Sequence, residues 1–118
     1  QAPAKPKKPQ EEQIKIDDFA KISLRAAKVL SCKPLKNSDR LLVLQVDNGF
    51  ETKQILSGIA KFYDPKELVG KTVALVDNLT PAKLRGETSE GMLLAADTKD
   101  GVKVLFLDDD IPAGSKIR

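Results

Sequence analysis

The first long strand constrains this chain more than any other stretch. From Ile22 the residues alternate, with Ile22, Leu24 and Ala26 on one face and Ser23 and Arg25 on the other. Alternation with period two marks a half-buried β-strand. At Ala27–Lys28 the phase slips by one, and Val29 resumes the inward set. A one-residue slip inside a long strand predicts a bulge, because only an extra residue restores the inward face once the register has moved. A strand bent in that way can serve two sheets of a small barrel.

The segments that follow fit such a barrel. "LLVLQVD" (41–47) is a second strand, and Asn48-Gly49 is a hairpin signal leading into a third, "ETKQILS" (51–57). "GIAKFYDPKELVG" (58–70) is the one convincing helix candidate. Asp64 stands as its N-cap, Pro65 at its first position, Glu67 three residues after the cap and Gly70 as its stop. "KTVALVDN" (71–78) and "GMLLAADT" (91–98) are strands four and five, and "KDG" turns into "VKVLFLDD" (102–109). A short helical turn, "DDFAKI", precedes the first strand, with acidic residues at its positive end. The expected fold is therefore all-β with a short helix: a five-stranded OB-fold barrel plus extra C-terminal strands. Hairpins dominate, which disfavours a parallel α/β arrangement. "QAPAKPKKPQEEQ" is rich in Ala, Pro and Lys and has no apolar periodicity, so residues 1–15 are expected to be a disordered linker. Residues 16–118 form the single folded domain, which reads as the C-terminal piece of a longer protein.

Composition removes most enzyme chemistry. The chain has no His, one Cys and no Trp. Without His there is no ordinary catalytic triad, no common zinc site and no neutral-pH general base. Ser57, Ser89 and Cys32 are possible nucleophiles with nothing to activate them. Asp108, Asp109 and Asp110 are adjacent on a strand, so their carboxylates point to alternating faces and do not converge on a metal. "GETSEG" lacks the lysine and spacing of a phosphate-binding P-loop. No catalysis, metal or cofactor is expected. A lone Cys, with no apolar window near 18 residues, fits a cytoplasmic protein away from membranes.

The net charge of +3 conceals an uneven distribution. Lys21 to Lys61 hold eight basic residues against three acidic ones, whereas Asp97 to Asp110 hold two against five. One positive face and one negative face favour a polyanionic partner. OB barrels bind strands through a basic groove and its surrounding loops. The candidates here are Arg25, Lys28, Lys33, Lys36 and Arg40 from the first strand and the loop after it. Lys53 follows the hairpin, and Lys83 and Arg85 come from the basic, glycine-punctuated loop "PAKLRGETSEG". Aromatic residues are scarce, so recognition of a folded RNA by backbone and shape fits better than base stacking along a single strand.

"DDFAKISLRAAKV", "DRLLVLQVDNG", "QILSGIAKFYDPKELVGKTVALVDNL" and "PAKLRGETSEGMLLAA" together resemble the tRNA-binding OB domain appended to bacterial methionyl-tRNA synthetases. Free-standing tRNA-binding proteins, part of the phenylalanyl-tRNA synthetase β subunit and EMAPII-like cytokine precursors share that domain. The resemblance runs from about Ile16 to Thr98. It implies structure-specific, largely sequence-independent tRNA binding without catalysis, and attachment to a synthetase core through the N-terminal linker. It also implies a homodimer formed by residues 16–22 and 102–117. Ser57, Ser89 and Met92 lie in its motifs and are carried over as contacts or loop-shaping residues. Two departures stand out: Asn37-Ser38-Asp39 replaces a His-Pro-Asp/Ala-like stretch, and Ala27 stands near a position that members commonly give to Gly. The alternative is a stand-alone dimeric tRNA-binding protein or a chaperone-like, peptide-binding OB protein.

Overall fold

The structure, a computed structural model, describes residues 5–118. Residues 5–15 carry neither helix nor strand and are exposed, and the part of the expected linker at 1–4 lies outside the described residues. A four-residue helix α1 (Ile16–Phe19) leads into the long β1 (Leu24–Pro34). β2 (Leu42–Asp47) and β3 (Thr52–Ser57) complete a meander. α2 (Pro65–Leu68) and β4 (Thr72–Val76) follow. Next come β5 (Ala82–Leu84), β6 (Glu87–Ser89), β7 (Met92–Leu93) and β8 (Ala95–Thr98). β9 (Gly101–Val104), β10 (Phe106–Leu107) and β11 (Lys116–Ile117) end the chain.

β1 is bent, but not where the alternation slips. It keeps an unbroken register with β4 from Leu24 to Lys28. The shift comes against β2, where Val29 faces Val46 and Ser31 faces Gln45, leaving Leu30 as the extra, half-exposed residue. The slip at Ala27 has a different origin. Ala26 and Ala27 are both fully buried. Ala27 joins the barrel core, while Ala26 exchanges hydrogen bonds with Gly114 and Ser115 of the returning C-terminal segment. Both faces of β1 are covered there, so alternation is lost without a bulge.

Asn48-Gly49 does start a turn, though the β2–β3 connection is four residues long, with Asp47 opposite Thr52. Asn48 is buried. Its side-chain oxygen accepts from the N–H groups of Phe50 (3.0 Å) and Glu51 (2.8 Å), and its amide donates to Asp77 (2.8 Å). Gly49 has φ of 89°, and a Cβ there would fall 2.5 Å from the Cα of Gly114. The C-terminal segment thus packs on this turn.

The helix is one turn long, shorter than the 58–70 expected. Asp64 caps it through Lys66 N–H (3.0 Å), and Glu67 reaches back to the Asp64 N–H (2.8 Å). Ahead of it, Ile59 accepts from Phe62 and Tyr63 in a turn, and Leu68 seals the floor of the core.

The main sheet runs β10-β4-β1-β2-β3; β7 pairs with Leu75 and Val76 on the same edge of β4 that β10 occupies at Thr72 and Val73, and β11 pairs with the start of β1. The barrel closes between β3 and the β6–β7 segment by few backbone bonds. Glu90 N–H donates to Gln54 O (2.8 Å), Gln54 N–H to the Glu90 carboxylate (3.0 Å), and Leu56 N–H to Ser89 Oγ (3.0 Å). This is an OB fold. The expected fifth strand is split at Leu94, whose N–H still reaches Ala74 O, while β8 departs to form a separate hairpin with β9. The apolar "VLFL" stretch is only partly covered within the chain, because Leu105 and Phe106 stay exposed. Val104 is buried, and Phe106 and Leu107 pair with Val73 and Thr72. Among the described residues no helix is long and apolar enough to cross a membrane.

Candidate nucleic-acid interface

The "PAKLRGETSEG" stretch is a hairpin, not an irregular loop. β5 pairs with β6, Leu84 facing Glu87, so Arg85 and Gly86 are the two turn residues. Both have positive φ, 52° and 84°. That is the signature of a type I′ turn, whose twist suits a tight hairpin. Gly86 supplies the left-handed conformation cheaply, while Arg85 adopts it at a steric cost. Gly91 serves differently: its φ is ordinary, and a Cβ there would lie 2.8 Å from Val76 O. It lets the chain cross β4 closely.

Cross-strand partners share a face and neighbours alternate. Ser89, Ala82, Leu84 and Glu87 share one face of the hairpin, on which only Ser89 is buried and Leu84 and Glu87 stay exposed. Lys83 and Thr88 therefore occupy the opposite face. The hairpin is held to β3 by Gln54, whose side-chain amide donates to Thr88 O (2.9 Å).

Arg85 at the tip reaches the loop between β1 and β2. One cleft, of about 440 Å³, is lined by Ser38, Arg40, Leu41, Gly58, Lys61, Phe62 and Arg85. A second, adjoining through Arg85, includes Lys33, Lys36, Asn37 and Glu87. Together they form a furrow carrying five basic side chains: Lys33, Lys36, Arg40, Lys61 and Arg85. Among the described residues none of the five forms an ion pair. Asn37 turns the rim with φ of 68°. Ser38 Oγ accepts from the N–H groups of Arg40 (3.3 Å) and Leu41 (3.2 Å), which sets the loop's shape.

Of the candidates read from sequence, the furrow gathers Lys33, Lys36, Arg40 and Arg85. Ser57 ends β3 beside Gly58 of the cleft and is half-buried. Lys83 stands apart on the hairpin's other face. Arg25 and Lys53 are at the far end of the β2–β3 hairpin, both engaged with Asp77. Lys53 Nζ lies 3.1 Å from its Oδ1 and donates to its carbonyl (2.7 Å). Arg25 Nε lies 3.7 Å from Oδ2, its Nη1 donates to Gly114 O (3.0 Å), and its guanidinium sits 4.9 Å from the Phe50 ring centre. Ser89 is buried, its hydroxyl accepting from Leu56 and donating to Gly91 O (3.0 Å). Met92 faces a mainly apolar groove with Phe19, Ile22, Leu79 and Leu94, lined also by Lys21 but by none of the furrow's cations. Lys61 and Phe62 escaped the sequence reading. Their signal was position, directly after the "QILSGIA" stretch that ends at the cleft.

Catalytic groups do not assemble here. Burial, with Asp64 nearby, pushes the Cys32 thiol up to about 11, so it stays protonated near neutral pH. Among the described residues no three His, Cys, Asp or Glu gather as metal ligands would.

An OB barrel whose tip hairpin and first loop enclose unpaired cations has the architecture of an oligonucleotide-binding domain. Residues 24–116 match the family model described as "Putative tRNA binding domain", and the chain belongs to that family. A methionine–tRNA ligase of Clostridium tetani is 55% identical over 109 residues, covering 91% of this chain and 17% of the ligase. A MetRS-related protein from Pyrococcus horikoshii shares the fold with a TM-score of 0.87 and 35% identity, over 92% of this chain and all of that one. The CsaA chaperone protein of Picrophilus torridus gives a TM-score of 0.83 and 29% identity, over 90% of this chain and all of that one. The matched family is a binding domain rather than a catalytic one, and most of the ligase lies outside the match.

Proposed function

We propose that this domain binds tRNA by backbone and shape through the furrow, as the C-terminal appendage of a methionyl-tRNA synthetase in the cytoplasm. The observation that carries this is the cluster of unpaired cations at Lys33, Lys36, Arg40, Lys61 and Arg85. Phosphate contacts position an RNA without reading its sequence, so binding is structure-specific and largely sequence-independent. Lys33, Arg40 and Arg85 are the principal contacts and Lys83 an outlying one. Arg25, Lys53, Ser57 and Ser89 shape and brace the barrel. In the assembled enzyme, residues 1–15 tether the domain, residues 16–118, to the catalytic core.

Met92 belongs to a second surface. The groove of Phe19, Ile22, Leu24, Leu79, Met92 and Leu94 is open and apolar, and we assign it to homodimerisation. Exposed grooves of that kind mark contact sites. The groove overlaps the expected dimer segment only at residues 16–22; of the 102–117 segment, Phe106, Leu107, Lys116 and Ile117 pair with β4 and β1, while the side chains of Leu105 and Phe106 stay exposed outside the groove.

A second reading, a chaperone-like peptide-binding module, is favoured by the likeness to the CsaA chaperone and by the same groove. A mobility-shift titration with tRNA at several salt concentrations, run against an unfolded apolar peptide, separates the two. The tRNA reading expects a retarded complex whose affinity falls steeply with salt. Peptide binding without tRNA binding overturns it. Sedimentation at micromolar concentration tests the dimer, and a monomer there excludes it.

A further inference from the structure

The larger of the furrow's two clefts has a feature that phosphate binding does not need. Gly58 lines it with an ordinary φ, and a Cβ built there would meet no atom within 4 Å. The backbone conformation does not demand glycine, and neither does any neighbour. Glycine at such a position permits close approach by something that is not part of the chain. Around it the lining is mixed. Leu41 and Phe62 are apolar, while Arg40, Lys61 and Arg85 are charged. The Phe62 ring is steadied by Gly101, where a Cβ would lie 2.5 Å from Cε1. Ser38 spends its oxygen on two backbone N–H groups and its hydroxyl proton on nothing among the described residues.

We propose that this cleft receives a single unstacked nucleotide of the bound RNA. The base lies against Phe62, Leu41 and the bare backbone at Gly58, and its flanking phosphates meet Arg40, Lys61 and Arg85. This rests on the tRNA reading and deepens it. A duplex offers its phosphates on a convex surface and keeps its base faces stacked inside, so it leaves an apolar floor unused. A splayed base in a loop or at a chain end offers a flat apolar face together with phosphates on either side. The cleft's volume of about 440 Å³ falls in the usual range of ligand pockets, roughly 300–1,000 Å³.

Gly58→Leu plugs the cleft without removing a charge. With a tRNA transcript as probe, it should weaken binding roughly tenfold, the scale of one lost stacked base. Its salt slope should match that of the unaltered chain, because no cation is lost. Phe62→Ala should act in the same direction, and Gly58→Ala should cost less than Gly58→Leu. Melting temperatures monitor folding; if Gly58→Leu fails to fold, Phe62→Ala and Gly58→Ala decide. Parent affinity in a folded Gly58→Leu chain, or in a folded Phe62→Ala chain, overturns the nucleotide pocket while leaving tRNA binding intact. An equal, slope-preserving loss for a blunt RNA duplex without unpaired bases also overturns it. If the unaltered chain binds no tRNA, the functional reading falls and takes the pocket with it.

Discussion

The two ends of the β2–β3 hairpin use the same residue types in opposite ways. At the turn end Arg25 and Lys53 converge on Asp77, with Asn48 donating to the same carboxylate. Both charges are spent on Asp77, and Arg25 also fastens the C-terminal segment across β1 through Gly114. At the open end Lys33, Lys36, Arg40, Lys61 and Arg85 face a furrow with Glu87 as the one carboxylate lining it. Their charge is left over. Counting basic residues along the chain cannot separate these groups. What separates them is whether the fold brings a carboxylate to each cation.

The largest expected effect comes from breaking the clamp. Asp77→Ala strands Arg25, Lys53 and Asn48 without their partner. The side chains of Lys53 and Asp77 are only 14% and 15% exposed. Removing one partner from a pair this enclosed costs about 3 kcal/mol, because the remaining charge stays desolvated. Urea denaturation should show a lower midpoint with an unchanged slope. The salt slope of tRNA binding should stay at the parent value. A stable Asp77→Ala chain, or one with a reduced salt slope, would erase the distinction between the two ends.

The furrow should respond in the reverse sense. Arg40→Ala combined with Arg85→Ala should weaken tRNA binding by about 3–4.5 kcal/mol, taking each charged contact in the lower half of its usual range. The salt slope should shrink by about two, roughly one for each cation that displaced a counterion. Stability should move by less than about 0.5 kcal/mol, as exposed charges contribute little. Different tRNAs should lose about equally, since phosphates carry no sequence. Selective loss of one tRNA would point to base recognition by these arginines instead.

Much of this was legible from residues. The strand order, the capped helix at Asp64–Pro65 and the β2–β3 hairpin follow from period and turn chemistry alone. Most of the misses share a physical cause, namely contacts made far along the chain. Ala26 and Ala27 look like a bulge because the C-terminal segment, almost 90 residues later, covers the second face of β1. Arg25 looks free because its partner Asp77 lies far downstream. The Arg85-Gly86 turn was hidden for a local reason. Type I′ turns favour Asn or Asp before Gly, and an arginine with positive φ does not advertise one. Lys61 was missed because its loop joins the site only when the barrel closes.

Lys83 provides the smallest and finest test of the comparison. In sequence it is Arg85's equal, two residues away in the same basic stretch. In the hairpin it pairs with Thr88, on the face opposite Glu87 and the furrow. It can help an RNA in the furrow only through space. At physiological ionic strength that influence fades over about 8 Å. Lys83→Ala should therefore weaken tRNA binding by less than about twofold and change the salt slope by well under one unit. Arg85→Ala alone should exceed it several-fold. Equal losses for the two would mean that the RNA wraps over the hairpin and grips both faces. The boundary between used and unused charge would then run along the hairpin's outer strand rather than through its tip.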